Sequence, residues 1–230
     1  MLSTFEDHCW KDVIDAQALE IYSVYEREIR IGERPALLAI DLYNLVYEGG
    51  PRPVLELYKT HRGACGTQAW DAIAPTQELF RAARAAKIPI LYSTDDLEAK
   101  RRSPGSRRAG QLNEAAFAIK DDFAPQPGDI VLKKERASVF YGTPIVSILN
   151  QLGVKSLIVC GESTSGCVRA SVVDAVSHGY PSVVVEECCF DRIPLSHKMS
   201  LFDLHHKYAG VMHLSEVLAL LGELAAGDLR

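Results

Sequence analysis

Residues 157–176 read LIVCGESTSGCVRASVVDAV: an apolar run enters Gly161, four polar residues follow, and Gly166 delivers Cys167 at the start of an expected helix. Three effects meet at such a cysteine. The helix N-terminus carries partial positive charge and unpaired N–H groups, which favour thiolate over thiol. The same N–H groups can receive the negative oxygen of a tetrahedral intermediate. Gly161 and Gly166, at the two edges of the polar stretch before Cys167, let backbone and substrate approach closely. The chemistry would be nucleophilic attack on a carbonyl; the plain alternative is a buried, inert thiol.

Competing motifs fail on spacing. A phosphate-binding loop shares the two glycines but needs Lys and Ser or Thr next, where Cys167 and Val168 stand. A phosphatase loop needs an arginine six residues after its cysteine, and Val173 is there. A Cys–His pair has poor support, because His178 lies about three helical turns on and His197, His205, His206 and His213 have no motif around them.

The elements around these residues read as alternating strands and helices. Apolar runs at 36–40, 88–92, 130–132, 156–160 and 182–185 are expected strands, and helices are expected at 76–86, 144–152, 167–178, 196–208 and 215–224. Asp15 is placed to cap a further helix over 16–30. Short, continuously apolar strands between helices imply an α/β fold: a doubly wound, mostly parallel sheet with helices on both faces, in three layers. Ligands of such sheets bind beyond the carboxyl ends of the strands. Asp41, the stretch after Leu132 and the stretch after Cys160 should therefore converge on one crevice. Residues 1–34 form an expected helical extension and 35–230 the domain proper. The segment 100–110, KRRSPGSRRAG, carries five positive charges and reads as an exposed loop, with a lid or a subunit contact as the alternatives.

With 230 residues and 47% hydrophobic content the chain can bury one full core. The balance of 25 basic against 30 acidic residues gives a net charge of −5, so neither nucleic acid nor a membrane surface is an expected partner. The first residues lack a basic and apolar leader, and no later run approaches a membrane span, which makes a cytoplasmic location the expectation. Six cysteines at 9, 65, 160, 167, 188 and 189 show no C-x-x-C pair and read as reduced thiols.

Three stretches, Asp41-Leu42-Tyr43-Asn44, Lys134-Glu135-Arg136-Ala137-Ser138-Val139-Phe140 and Gly161 to Val168, resemble in type and order the signature segments of isochorismatase-like cysteine hydrolases. GCVRASVVDAVSHGY with VVVEECCFDR is most similar to the N-carbamoylsarcosine amidohydrolase branch. The resemblance implies Cys167 as nucleophile, Asp41 as the base that takes its proton, and Lys134 as the charge beside both. Lys133 is the neighbouring candidate; the six-residue step to Phe140 matches the family at Lys134, and strand alternation lets only one of the two point inward. The resemblance also implies a cis peptide between Glu162 and Ser163, turning the Ser163 N–H toward that of Cys167 to form an oxyanion hole.

By the same resemblance Arg192 matches an arginine that grips a substrate carboxylate, a task suited to a planar guanidinium, with a surface pair to Asp191 as the alternative. Tyr47 is a candidate pocket wall, with Tyr43, Phe140 and Tyr141 beside it. Nicotinamidases of the superfamily carry a metal-binding Asp-x-His after the second strand, whereas residues 92–97 here read YSTDDL. Asp95 and Asp96 alone make a poor zinc site, so no metal or other cofactor is expected. The implied activity is hydrolysis of the C–N bond of a small carboxylated carbamoyl compound or amide, N-carbamoylsarcosine-like or maleamate-like. Alternatives are vinyl-ether hydrolysis of the isochorismatase type, which in this superfamily proceeds without a cysteine nucleophile, and a noncatalytic binding protein on the same fold. Family members often form dimers or tetramers, and the N-terminal helix is the expected contact.

Overall fold

Strand β1 (Pro35–Ile40) is buried at every residue and lies in the middle of the sheet. The computed structural model describes residues 4–102 and 113–227, so most of the 100–110 segment lies outside the described residues. Around β1 stand β2 (Ile90–Asp95), β3 (Ile130–Lys134), β4 (Ser156–Glu162), β5 (Ser182–Phe190) and β6 (Gly210–Met212), in the order β3-β2-β1-β4-β5-β6. Every pairing is parallel. The three-residue β6 is too short to stand out in the hydropathy pattern and was not expected from it. The chain reverses its winding direction between β1 and β4, the position at which doubly wound sheets open a crevice.

Strand alternation divides the core in two. Leu37 and Ala39 of β1 face one side with Leu79, Phe80 and Ala83 of the helix Ile73–Ala85 and Val217 and Leu221 of Leu214–Ala226. Ala36, Leu38 and Ile40 face the other, with Leu149 of Ile145–Leu152, Val172 and Ala175 of Arg169–Ser177 and Leu201 of Pro194–Lys207. This is the expected three-layer α/β sandwich.

The N-terminal segment differs from its expected form. Asp15 does cap a helix, accepting the Ala18 N–H at 2.7 Å, but that helix ends at Tyr22 rather than near residue 30 and buries none of its residues. A helix of two turns without an apolar face to dock has little beyond its cap to extend it. The residues before it do dock, and on their own chain. Trp10 is fully buried against Phe202, and Glu6 and His8 reach His206 and Glu186.

Candidate active site

Asp41 is the first residue beyond β1. It turns the chain with φ +53°, a left-handed conformation that Asp tolerates better than most residues. Its backbone N–H donates to the Ser93 carbonyl at 3.2 Å, and its Oδ1 accepts the Ser93 hydroxyl at 2.7 Å. Lys134 is the last residue of β3, two strands away. Crossing β2 means covering roughly 10 Å, and the whole lysine chain is used to do so. Its ammonium lies 2.8 Å from Asp41 Oδ2 and 3.8 Å from Asp95 Oδ1, and donates to the Arg136 carbonyl at 3.2 Å. The two lysines of β3 alternate as expected: Lys133 is exposed and Lys134 is 1% exposed.

Cys167 completes the group, with Sγ 3.4 Å from Lys134 Nζ. Between β4 and Cys167 the chain makes a turn that only certain residues permit. Gly161 has φ +113°, and a Cβ there would lie 2.0 Å from the Ile40 carbonyl oxygen, so β1 and β4 can approach only with glycine at this point. The Glu162–Ser163 peptide is cis. The Ser163 carbonyl then accepts the N–H groups of Gly166 and Val168 at 2.9 and 3.1 Å. Two outside contacts pin the turn: Asp191 Oδ2 accepts from both the N–H and the hydroxyl of Ser165 at 2.8 and 2.6 Å, and Thr164 Oγ1 meets His197 Nδ1 at 2.8 Å.

The electrostatics correct one expectation. Cys167 lies in a wide π-type turn, Thr164–Val168, and the regular helix begins only at Arg169. Burial pushes its thiol up, and the Asp41 carboxylate adds to the shift; Lys134 opposes both without overcoming them. The resting group is therefore a thiol beside a carboxylate, and the thiolate has to be made by proton transfer. Burial disfavours the Lys134 charge, but the Asp41 and Asp95 carboxylates beside it outweigh that and hold the ammonium protonated. A thiol, a carboxylate in ion-pair contact with a fixed ammonium, and that ammonium within reach of sulfur together provide a nucleophile, a proton acceptor and a counter-charge.

Ser93 carries no motif in the sequence, and Asp95 stands out there only as half of a poor zinc site. They are neighbours on one face of β2, paired in register with Ile40 and Lys134, and both are buried. The available signal was their i, i+2 spacing at a strand end that had to adjoin Asp41. Asp95, considered only as a metal ligand, instead pairs with Lys134 and Lys100.

Arg192 directly follows the Asp191 anchor. Its Nε is buried without a hydrogen-bond partner among the described residues, while Asp191 is engaged by Ser165. Tyr47 is buried at 4% exposure among Trp70, Phe123 and Phe190, its hydroxyl likewise unpartnered. Tyr43 and Phe140 are also buried, whereas Tyr141 is exposed.

A thiol, an ammonium and a carboxylate are thus gathered at the switch point of a parallel α/β sheet. Residues 35–216 match the family model of the isochorismatase domain, and the chain belongs to that hydrolase family. It is 33% identical over 204 residues to the maleamate amidohydrolase of Pseudomonas putida, covering 88% of this chain and 93% of that one. It is 30% identical over 212 residues to the N-carbamoylsarcosine amidase of an Arthrobacter species, covering 87% and 76%. Among solved structures it resembles a cysteine hydrolase of Pseudomonas syringae pv. phaseolicola 1448A, with a TM-score of 0.75 at 20% identity over 86% of this chain and 99% of that one. The N-carbamoylsarcosine amidase of Thermoplasma acidophilum gives a TM-score of 0.64 at 25% identity, over 79% and 96%. No described helix is long and apolar enough to cross a membrane.

Proposed function

We propose that the chain is a cysteine amidohydrolase acting on a small amide or carbamoyl compound that carries a carboxylate. The observation that supports this most directly is the Lys134 ammonium held between Asp41 Oδ2 at 2.8 Å and Cys167 Sγ at 3.4 Å. Asp41 takes the thiol proton as Sγ attacks the carbonyl carbon. The N–H groups of Ser163 and Cys167 receive the oxyanion. Collapse of the tetrahedral intermediate breaks the C–N bond, and Asp41 returns the proton to the leaving nitrogen, which departs as ammonia or amine. Water then attacks the thioester, Asp41 accepts its proton, and the released thiolate is reprotonated. Lys134 stays charged throughout and stabilises each anionic stage. The reaction needs no metal or cofactor.

Arg192, with an unpartnered buried Nε, is assigned to the substrate carboxylate, and Tyr47 to the pocket wall. Maleamate and N-carbamoylsarcosine, named in two relatives, both combine a carboxylate with a cleavable amide or urea, which is why both belong in the first assay. Vinyl-ether hydrolysis is the weaker reading, since it leaves Cys167 without a task. Residues 35–230 are taken as the hydrolase domain, residues 1–34 as an extension, and the chain as a cytoplasmic homo-oligomer. The exposed Ile21, Val24 and Tyr25 are the candidate subunit contact, and a monomer by light scattering would end that idea.

The test is ammonia release from maleamate and a panel of N-carbamoyl amino acids. Activity is expected in the native chain and absent from Cys167→Ala and Asp41→Asn; full activity in Cys167→Ala would falsify the mechanism.

A further inference from the structure

On the β5–β6 side of the sheet a second group of donors meets, apart from Asp41, Lys134 and Cys167. The β4–β5 ladder jumps from Val159↔Val184 to Gly161↔Cys189, so β5 carries extra residues at this point, among them Glu186 and Glu187. Bulges of this kind re-aim side chains. Glu186 Oε2 lies 2.6 Å from His8 Nδ1, and its Oε1 accepts the Cys9 N–H at 3.0 Å. Glu187 Oε1 lies 2.9 Å from His213 Nδ1, and its Oε2 accepts the Leu214 N–H at 2.8 Å. The His8 and His213 rings stack with centroids 4.8 Å apart. One ligating atom from each of His8, Glu186 and His213 lies within 4.8 Å of the other two.

We infer that His8, Glu186 and His213 form a binding site for a divalent transition metal, Zn²⁺ by donor type. Two imidazoles and one carboxylate suit an ion that accepts nitrogen and oxygen ligands in a tetrahedral shell. Glu187 supplies what such sites need behind a histidine ligand: a carboxylate on Nδ1 of His213 that fixes the ring and directs Nε2 to the ion. That Nε2 now meets the Asp7 carbonyl at 2.7 Å, so the carbonyl either yields to the ion or joins its shell. The three ligands come from the N-terminal segment, from β5 and from the residue that caps the last helix. A bound ion therefore ties residues 7–9 to the sheet. The surroundings favour a cation, since Glu216 also closes on the His213 N–H at 2.8 Å, and of the nearby ammonium groups Lys11 is paired with Asp7 and Lys198 with Asp12.

The experiment titrates ZnCl₂ by calorimetry into chelator-stripped chain carrying Cys167→Ala, so that the active-site thiol does not compete. One Zn²⁺ per chain is expected, with a rise in Tm at saturating metal. Binding should weaken at least about 100-fold in His8→Asn and in His213→Asn, which keep a polar side chain in place, and about 10-fold in Glu187→Gln, which loses only the outer partner. Circular dichroism checks that each variant is folded. Co²⁺ in place of Zn²⁺ should show the strong visible absorption of a four-coordinate site, absent from both histidine variants. Failure to take up one equivalent, or uptake and absorption unchanged in the histidine variants, would overturn the assignment.

Discussion

The ammonium of Lys134 stands 2.8 Å from Asp41 Oδ2, with both side chains removed from solvent. Breaking such a pair from one side strands a buried charge, at a cost of about 3–5 kcal/mol. Lys134→Met should therefore lower unfolding stability by roughly that amount and abolish turnover. Adding Asp41→Asn should restore much of the stability and none of the activity. Urea unfolding and ammonia release on the four proteins of this cycle check both halves.

Ser93 orients the proposed base. Its hydroxyl donates to Asp41 Oδ1 at 2.7 Å and turns that carboxylate toward its partners. Displacing a reacting group by about 1 Å can cost around 100-fold in rate. Ser93→Ala is expected to lower kcat by about 10- to 100-fold while KM stays within a factor of two or so, because Ser93 is fully buried and its hydroxyl is given to Asp41. A rise in KM with unchanged kcat would reverse that assignment.

The approach of β1 to β4 at Gly161 leaves no space for a side chain, with the Ile40 carbonyl 2.0 Å from where Cβ would stand. Gly161→Ala should destabilise the fold by at least about 2 kcal/mol, from steric overlap and a φ unsuited to alanine together. Gly128→Ala is a useful comparison, since its φ is also positive but nothing lies within 4 Å of the added Cβ. Thermal unfolding of the two variants separates contact from conformation.

Loss of the Arg192 guanidinium should be felt only by substrates bearing a carboxylate. A charged hydrogen bond contributes about 1.5–3 kcal/mol, so Arg192→Ala is expected to raise KM for a carboxylated substrate by roughly 10- to 150-fold. A neutral amide of similar size should be hydrolysed equally by native and variant chains. Steady-state kinetics on the two substrates decides it.

His205 makes stability fall on the acid side. It is fully buried, its Nδ1 accepts the Val211 N–H at 3.0 Å, and its pKa is pushed down to about 2, chiefly by burial and further by His8, His206 and Arg27. An unfolded histidine takes its proton near pH 6.5, so between that pH and about 2 the unfolded state binds a proton the folded state refuses. The stabilisation is complete above pH 6.5 and is lost as pH falls, with a slope of up to about 1.4 kcal/mol per unit. His213 acts in the opposite sense: burial lowers its pKa, but Glu187 and the Asp7 carbonyl outweigh that and raise it. Its contribution is complete below pH 6.5 and is lost only at higher pH. Urea midpoints at pH 6.5, 5.5 and 4.5 should fall less steeply in His205→Asn than in the native chain.

Much of this was legible in the residues because it rests on local rules. The five apolar residues before Asp41 have room only in a strand covered on both faces, and the helices between strands then force parallel crossovers. That placed Asp41, Lys134 and Cys167 at one end of one sheet. Alternation along β3 allows only one of Lys133 and Lys134 to point inward, and the resemblance in the six-residue step to Phe140 favours Lys134. A cap and a run of helix formers mark where the N-terminal helix starts, while its end at Tyr22 reflects the lack of an apolar face to bury.

What only the tertiary structure decided is the protonation of the site and the residues that hold it. A cysteine at a helix start looked like a ready thiolate; burial beside Asp41 makes it a thiol, because desolvation and a neighbouring carboxylate outweigh one lysine. Ser93 and Asp95 gained meaning only when β2 was laid between β1 and β3. His8 and His213 are separated by almost the whole chain, and no sequence pattern announces that a bulge in β5 brings both beside Glu186 and Glu187. Periodicity specifies which face a residue takes within its own element; which residues of different elements meet, and with what charge, is set by packing order and burial.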